Sequence, residues 1–302
     1  MGIAKGAYSL LCELKKDHPL LGCSVLQLGR QHALISANQM HKISKKFNIN
    51  IEGLTKASFR NDSKNLVDDI ALFQSLGFDR VESIDYSDFE NPTHVHDFNL
   101  PVPVGLHNQY DVVYDGGTLE HIFNFPQSLK NMFDLLKVGG FVIHASPSSN
   151  HVDHGFYMFS PTLFYDYYVS NGFEVVKSYI FEYEPRHDKR QWLIYDYKPG
   201  CIDHLSFGGW GGGGKLLGIW FVARKLEQSS SEVIPQQGSY LKAWSKHKNN
   251  LHEDLPSENL TKFEPLQKQI KRFVKSNSFL YNALMPAIAL FRRSKPPVIS
   301  RY

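Results

Sequence analysis

The sequence predicts an α/β protein built on a doubly wound, mainly parallel β-sheet. Segments with the period of an amphipathic helix alternate along the chain with short strand-like segments. Several of the strands are apolar throughout, as in residues 110–114 (YDVVY), and such strands are typical of a sheet covered by helices on both faces. The 302 residues, 42% of them hydrophobic, suffice for one large domain with extensions or for two small domains.

The first 85 residues contain three predicted helices and two predicted strands. The first helix stops at His18-Pro19, and the third is followed by Gly77, which suits a helix C-terminus. The second strand ends in Asp85. In chain order the elements are a helix at 7–17, a strand at 24–28, helices at 39–48 and 65–76, and a strand at 81–84.

The following residues continue the alternation of strands and helices. A short third strand is expected before Asp97, and residues 137–140 (KVGG) are expected to end a helix. The last two strands follow each other without a clear helix between them, which allows an antiparallel pair at one edge of the sheet. The predicted elements are a strand at 110–114, a helix at 126–136, a strand at 141–145, a helix at 161–170, and strands at 173–183 and 216–224.

The chain divides into a body at residues 1–226, a polar linker at 227–262 and a basic helical extension at 263–302. The net charge of +3 hides a strongly basic extension, in which Glu264 is the only acid, and a net acidic body. The extension could lie on an anionic membrane surface, dock on the body, or dock on another subunit. No nucleic-acid motif accompanies it, so no nucleic-acid partner is expected.

Cysteine use and the apolar segments predict a cytoplasmic protein, with peripheral membrane contact through the extension as the alternative. The three cysteines show no CxxC spacing, which fits a reducing compartment. We expect no signal peptide, because charged residues follow the first short apolar stretch at once. No apolar run approaches the roughly 20 residues that span a bilayer.

Candidate ligand-binding residues follow the predicted strands, because a doubly wound sheet binds ligands at the carboxyl ends of its strands. Gly29 follows the first strand, and Asp85 at the end of the second could accept hydrogen bonds from ribose hydroxyls. Asp97 could accept from an amino group, and Phe98 could stack on a base. The remaining candidates are Tyr86, which follows Asp85, and Asp115, Gly116 and Gly117, where the glycines let backbone approach a ligand closely.

Residues 110–147 (YDVVYDGGTLEHIFNFPQSLKNMFDLLKVGGFVIHASP) resemble the fourth strand, following helix, glycine turn and fifth strand of class I S-adenosylmethionine-dependent methyltransferases. "SIDYSDFE" resembles that family's second-strand acid, Asp85, and "HDFNLPVP" its adenine-contacting segment. The resemblance covers residues 22–225. It implies a Rossmann-like, seven-stranded methyltransferase fold and S-adenosylmethionine as cofactor. Residues 154–175 resemble a subgroup associated with surface sugars or secondary metabolites, which implies transfer to a glycan-type or small-molecule acceptor, at oxygen.

The first loop departs from the family pattern. "SVLQLGRQHA", residues 24–33, retains Gly29 where the family has three spaced glycines. Arg30 and Gln31 could replace the missing backbone contacts by donating hydrogen bonds to the cofactor's carboxylate. Alternatively, they cap a helix or form an ion pair. Because the loop lacks two of the family's glycines, a second function stays open, in which the chain is a catalytically silent methyltransferase-like binding or scaffold protein.

Three histidines are candidates for the base that transfer to a hydroxyl requires, namely His121, His151 and His154. His121 lies at the mouth of the expected site, although the Glu-His pair there could be structural. His151 and His154 follow the fifth strand, where an acceptor would bind. Two histidines three residues apart with one nearby acid are weak evidence for a metal, so no metal site is predicted.

Overall fold

The computed structural model describes residues 2–18, 24–51, 54, 59, 65–184, 191–202, 215–241, 243–245 and 297–302. Within this part of the chain, one mixed sheet of nine strands is flanked by helices. The helices are α1 (Lys5–Asp17), α2 (Ala37–Lys46), α3 (Asp69–Ser75), α4 (Phe125–Leu135) and α5 (Pro161–Ser170). The strands are β1 (Ser24–Leu28), β2 (Arg80–Asp85), β3 (His94–Val95), β4 (Tyr110–Asp115), β5 (Leu136–Pro147), β6 (Glu174–Tyr183), β7 (Leu193–Asp196), β8 (Leu216–Arg224) and β9 (Val298–Arg301).

The strand order across the sheet is β3-β2-β1-β4-β5-β8-β6-β7-β9. The first five strands in this order pair in parallel, whereas every pair from β5 to β9 is antiparallel. The prediction of a doubly wound sheet with a parallel centre is therefore confirmed, as is an antiparallel pair formed by β6 and β8. The prediction of seven strands is wrong, because β7 and β9 extend the sheet beyond β6.

Two apolar cores lie on opposite faces of the sheet. Alternate strand residues point to opposite faces, and Val112 and Val113 belong to different cores. The core that contains Val112 includes buried side chains of α1, α2 and α3, such as Leu10 and Phe73. The core that contains Val113 includes side chains of α4 and α5, such as Phe164. This three-layer arrangement leaves the carboxyl ends of the parallel strands accessible between the layers.

Two boundaries differ from the sequence predictions. The KVGG segment does not form a separate turn after α4, because β5 begins at Leu136 and Gly139 lies within it with φ +84°. The helical prediction for residues 263–302 is wrong for Val298–Arg301, which form β9 and pair with β7. Residues 263–296 lie outside the described part of the chain. In that part, no helix combines the length and apolarity needed to cross a membrane.

The predicted linker begins by packing on the body. The amide of Asn171, at the end of α5, accepts hydrogen bonds from Ser230 Oγ and Val233 N, each at 3.0 Å. Farther along, Gly238 N donates to Asp166 Oδ2 at 2.8 Å. These contacts attach residues 226–238 to the second core's outer surface.

A polar cluster joins β2, β3 and β4. Arg80 Nε and Tyr110 Oη donate to the Glu82 carboxylate at 2.7 and 2.6 Å, and His94 Nε2 lies 2.9 Å from it. Hydrogen bonds, chiefly from Arg80, hold the pKa of the Glu82 carboxyl at about 2, below its usual 4.5. The charged carboxylate therefore stabilises the folded state more than it stabilises the unfolded state.

Glu82→Gln is expected to lower the free energy of unfolding by roughly 1 kcal/mol at neutral pH, since the carboxylate is partly exposed and screened by water. Because the folded-state pKa is the lower one, this difference should be fully present above pH 4.5 and shrink as the pH falls towards 2. Urea unfolding across this range measures it. The exposed Glu227→Gln serves as the control; a constant difference between wild type and Glu82→Gln at all pH values would contradict the prediction.

Candidate functional site

A cavity of about 520 Å³ opens at the carboxyl ends of β1, β2 and β4. It lies where the chain turns from β1 outward to β2 and β3 on one side and to β4 on the other, which is the ligand-binding position of doubly wound sheets. Its volume is within the range of small-molecule sites. The lining residues are Gly2, Gly29, Arg30, Gln31, His32, Leu34, Asp85, Gly117, Thr118 and His121.

Gly29 lines the cavity directly after β1. Its φ of +68° is a conformation that favours glycine, and its N–H donates to the carbonyl of Ile84 at 2.7 Å. A Cβ at this position would lie 3.3 Å from Asp85 Oδ2 and 3.4 Å from Thr118 Oγ1. Gly29 therefore keeps the backbone open to a ligand between the ends of β2 and β4.

Asp85 ends β2 and contributes its carboxylate to the cavity wall. In the described part of the chain its strongest side-chain contact is a long one, 3.5 Å, from Ser87 N. The carboxylate therefore retains acceptor capacity for a bound ligand. Tyr86, the next residue, is 74% exposed and lies outside the cavity lining.

Arg30 connects the first loop to α3. Its Nε and Nη2 donate to the carboxylate of Asp69 at 2.9 and 2.6 Å, and Nη2 also lies 3.3 Å from Asp68 Oδ2. Asp68 in turn caps α3 by accepting from Ile70 N at 3.0 Å. The geometry is that of the ion-pair alternative. Donation from Arg30 to a cofactor carboxylate stays a prediction.

Gln31 connects the first loop to the loop after β4. Its Nε2 donates to the carbonyl of Leu28 at 2.7 Å and lies 3.4 Å from Thr118 Oγ1, which itself donates to Leu28 O at 2.6 Å. The amide oxygen lies against Gly116, where an added Cβ would overlap it. Both donor hydrogens of Gln31 thus have protein partners, and its predicted role as a cofactor donor stays a prediction. Thr118 is a lining residue that the sequence alone did not single out.

The loop after β4 is organised around Asp115. Its Oδ1 accepts from the N–H groups of Gly117, Thr118 and Leu119 at 3.3, 2.9 and 3.3 Å. The side chain is 0% exposed, so the predicted direct contact between Asp115 and a ligand is corrected: the carboxylate shapes the loop from behind. Gly117 lines the cavity with φ +97°, while Gly116 is buried beside Gln31 and lies outside the lining.

The second oxygen of Asp115 belongs to a buried network that the sequence did not reveal. His144 Nδ1 and Ser146 Oγ, both on β5, lie 2.9 and 3.1 Å from Oδ2. His144 Nε2 lies 2.7 Å from Tyr168 Oη on α5, and its ring stacks on Phe164. Burial acts to raise the pKa of Asp115, but the hydrogen bond from His144 and those from the loop amides outweigh it, so that the pKa is lowered. This chain of contacts fixes the cavity loop to both β5 and α5.

The predicted adenine residues lie outside the cavity lining. Phe98 is buried in the core with Val113, and the predicted stacking of its ring on a base stays a prediction. Asp97 accepts from the backbone and side-chain nitrogens of Asn99 at 2.9 and 2.8 Å, and these bonds lower its pKa. Asp97 therefore stabilises the turn after β3, and its contact with an amino group stays a prediction.

The three predicted histidines come together beside the cavity. The ring centroids of His121 and His154 are 5.0 Å apart, and those of His151 and His154 are 5.7 Å apart. His121 lines the cavity, whereas His151 is buried with Nε2 3.2 Å from Tyr183 Oη. The structure adds Glu120, whose carboxylate lies under His121 and His154; only its adjacency to His121 in the sequence could have indicated it.

Burial changes the protonation of this cluster. It raises the pKa of the Glu120 carboxyl to about 8, and the negative charge of Asp115 adds to the effect. Burial also lowers the pKa values of His121, His151 and His154. All three rings are therefore neutral near pH 7 and able to accept a proton or a metal ion.

No protein-family model and no curated protein sequence matches the chain. Among solved structures, TehB from Haemophilus influenzae is 16% identical, with a TM-score of 0.37 over 70% of this chain and 61% of that chain. The chain thus spans less than two thirds of TehB. A Burkholderia thailandensis 1,6-didemethyltoxoflavin-N1-methyltransferase is 15% identical, with a TM-score of 0.38 over 74% and 80% of the two chains.

A third similar structure is that of a polyamine synthase. The branched-chain polyamine synthase from Thermus thermophilus is 11% identical, with a TM-score of 0.39 over 78% of this chain and 60% of that chain. At TM-scores below 0.5 these likenesses carry no argument. The fold described above rests on the strand order and pairing of this chain itself.

Proposed function

We propose that this chain is an S-adenosylmethionine-dependent methyltransferase that acts on a small-molecule or glycan-type acceptor, at oxygen. The observation that carries the proposal is the cavity in which Gly29 and Asp85 face each other at the switch point of a doubly wound sheet. The resemblance of residues 110–147 to class I methyltransferases supports the choice of cofactor.

Part of the cavity fits this cofactor well. In the described part of the chain, the Asp85 carboxylate has acceptor capacity for two ribose hydroxyls, and Gly29, where a Cβ would crowd Asp85 and Thr118, leaves the backbone open to a ligand beside Gly117. When bound, S-adenosylmethionine supplies a methyl group already activated on a sulfonium sulfur. The chain's own tasks are then to orient the acceptor and to take up its hydroxyl proton.

His121 is the proposed base. It is the member of the histidine cluster that lines the cavity, and its side chain is 47% exposed. Burial lowers its pKa, so the ring is neutral and can accept a proton near pH 7. His151 and His154 are the alternative candidates for the base or for a hydrogen bond to the acceptor.

A second function, a silent binding or scaffold protein, is favoured by one specific observation. Arg30 donates hydrogen bonds to Asp68 and Asp69, and both side-chain amide hydrogens of Gln31 have acceptors within the protein. These side chains therefore have fewer donors left for a cofactor than the sequence suggests. Under this function the fold would be retained for partner contacts.

Calorimetric titration with S-adenosylmethionine and with S-adenosylhomocysteine tests the proposal. We expect saturable one-to-one binding of both, and transfer of a radiolabelled methyl group to hydroxyl acceptors drawn from glycans and secondary metabolites. Absence of a binding heat for either compound at high protein concentration would overturn the enzyme function. Binding without transfer to any acceptor would favour the silent protein.

A further inference from the structure

The Glu120 carboxylate is buried without a hydrogen bond. The residue is 0% exposed, and within the described part of the chain neither carboxylate oxygen has a hydrogen-bond partner. An unpartnered carboxylate in the protein interior is costly unless a cation or a donor compensates it. A cation bound beside the carboxylate would supply this compensation.

Two imidazoles face this carboxylate. His154 Nε2 lies 3.4 Å and His121 Nε2 lies 3.9 Å from Glu120 Oε1. One ligand atom from each of the three residues lies within 4.8 Å of the other two. Ligands bound to one Zn²⁺ at about 2.0–2.2 Å are separated from each other by roughly 3 to 4 Å, so a small inward rotation of the rings completes the set.

We propose that Glu120, His121 and His154 bind a divalent transition-metal ion of the Zn²⁺ type at the edge of the cavity. Two neutral imidazoles and one carboxylate form a donor set that suits zinc and neighbouring first-row ions, whereas Mg²⁺ and Ca²⁺ prefer oxygen ligands. Three protein ligands leave at least one coordination position open, as in catalytic metal sites. His121 acts as the proposed base only while no ion is bound, because a metal-bound imidazole has no free lone pair to accept a proton.

The backbone holds the ligands in place. The carbonyl of Glu120 accepts from Phe156 N at 2.8 Å and from Tyr157 N at 3.2 Å, which fastens the loop of His154 to the helical turn of His121. At Gly155 an added Cβ would lie 2.8 Å from Glu120 O and 3.1 Å from His121 Nδ1. Gly155 thus permits the close approach that brings His154 over the carboxylate.

The site is also open to an ion from solvent. The side chains of His121 and His154 are 47% and 36% exposed, so they lie at the entrance of the site, whereas the buried Glu120 lies at its bottom. His151 is excluded from the ligand set, because its Nε2 lies against Tyr183 Oη. In the sequence, His151 and His154 were only weak evidence for a metal and no site was predicted; the proposed ligand set has Glu120 and His121 beside His154 instead of His151.

Calorimetric titration of the untagged full-length chain with ZnCl₂, in the absence of S-adenosylmethionine, tests the proposal separately from the proposed function. We expect one Zn²⁺ per chain and no comparable binding of Mg²⁺. Glu120→Gln and His154→Ala should each weaken Zn²⁺ binding at least about 100-fold, because even residues that only support a metal ligand are worth 10- to 100-fold. His41→Ala, which removes an exposed histidine on α2, should bind as wild type does.

Co²⁺ substitution provides a second readout. The wild-type chain with Co²⁺ should show visible d–d absorption bands that disappear in His154→Ala, while circular dichroism confirms that the variant is folded. Zn²⁺ binding that is equally tight in wild type, Glu120→Gln and His154→Ala would overturn the proposal, as would a wild-type chain that binds no Zn²⁺.

Discussion

Replacing Asp85 with alanine should weaken binding of S-adenosylhomocysteine about 100-fold, because the ribose hydroxyls would no longer donate two charge-assisted hydrogen bonds to a carboxylate. Asp85 forms a wall of the cavity and retains acceptor capacity in the described part of the chain. Isothermal titration calorimetry of the wild type and the variant measures the difference. This loss of affinity is expected only if the cavity binds the cofactor.

Asp88→Ala is the matched control, since this carboxylate follows Asp85 closely in sequence but is exposed and lies outside the cavity lining. Its affinity for S-adenosylhomocysteine should equal that of the wild type. Asp85→Asn keeps the shape and one acceptor oxygen, so its loss should be intermediate. Equal affinities of wild type and Asp85→Ala would place the ribose elsewhere and contradict the proposed orientation of the cofactor.

Asp115→Ala should lower the free energy of unfolding by about 3–5 kcal/mol, the range for removing one partner of a buried ionic network. The variant would leave the loop amides of Gly117, Thr118 and Leu119 without their acceptor. It would also leave His144 without its carboxylate partner at 0% exposure. Urea unfolding monitored by circular dichroism measures the loss.

Tyr168→Phe tests the far end of the same network. It removes the hydroxyl 2.7 Å from His144 Nε2 but keeps the ring in the core. Its cost should be about 1–3 kcal/mol, the penalty for one unsatisfied buried group. If Asp115→Ala lowered the free energy of unfolding by less than Tyr168→Phe does, the network would not organise the cavity loop.

The elements that sequence could predict are those with strong local signals. β1, α5 and β8 have the predicted bounds, because a mostly apolar stretch marks the two strands and a Ser160-Pro161 start marks the helix. β7 and β9 have four residues each and stabilise one another across a long separation in sequence. Such pairing depends on tertiary contacts, so short-range patterns could not indicate it.

The candidate site divides in the same way. Gly29 and Asp85 were predictable, because a residue that directly follows a parallel strand lies at the ligand edge of the sheet. The partner of Arg30 depends on where α3 begins, and the burial of Asp115 depends on His144, its register partner on the neighbouring strand β5. Glu120 acquires its importance only when the loop of His154 folds over it.

The pairing of β9 with β7 shows that the end of the basic extension is part of the sheet. The chain is attached to the body at Gly238 and again from Val298 onward, and Tyr302 Oη donates to Glu13 on α1 at 2.6 Å. The described residues on either side of the intervening segment, Gly238 and Val298–Arg301, are thus both attached to the body. A fluorophore at residue 302 would report on the sheet edge beside α1.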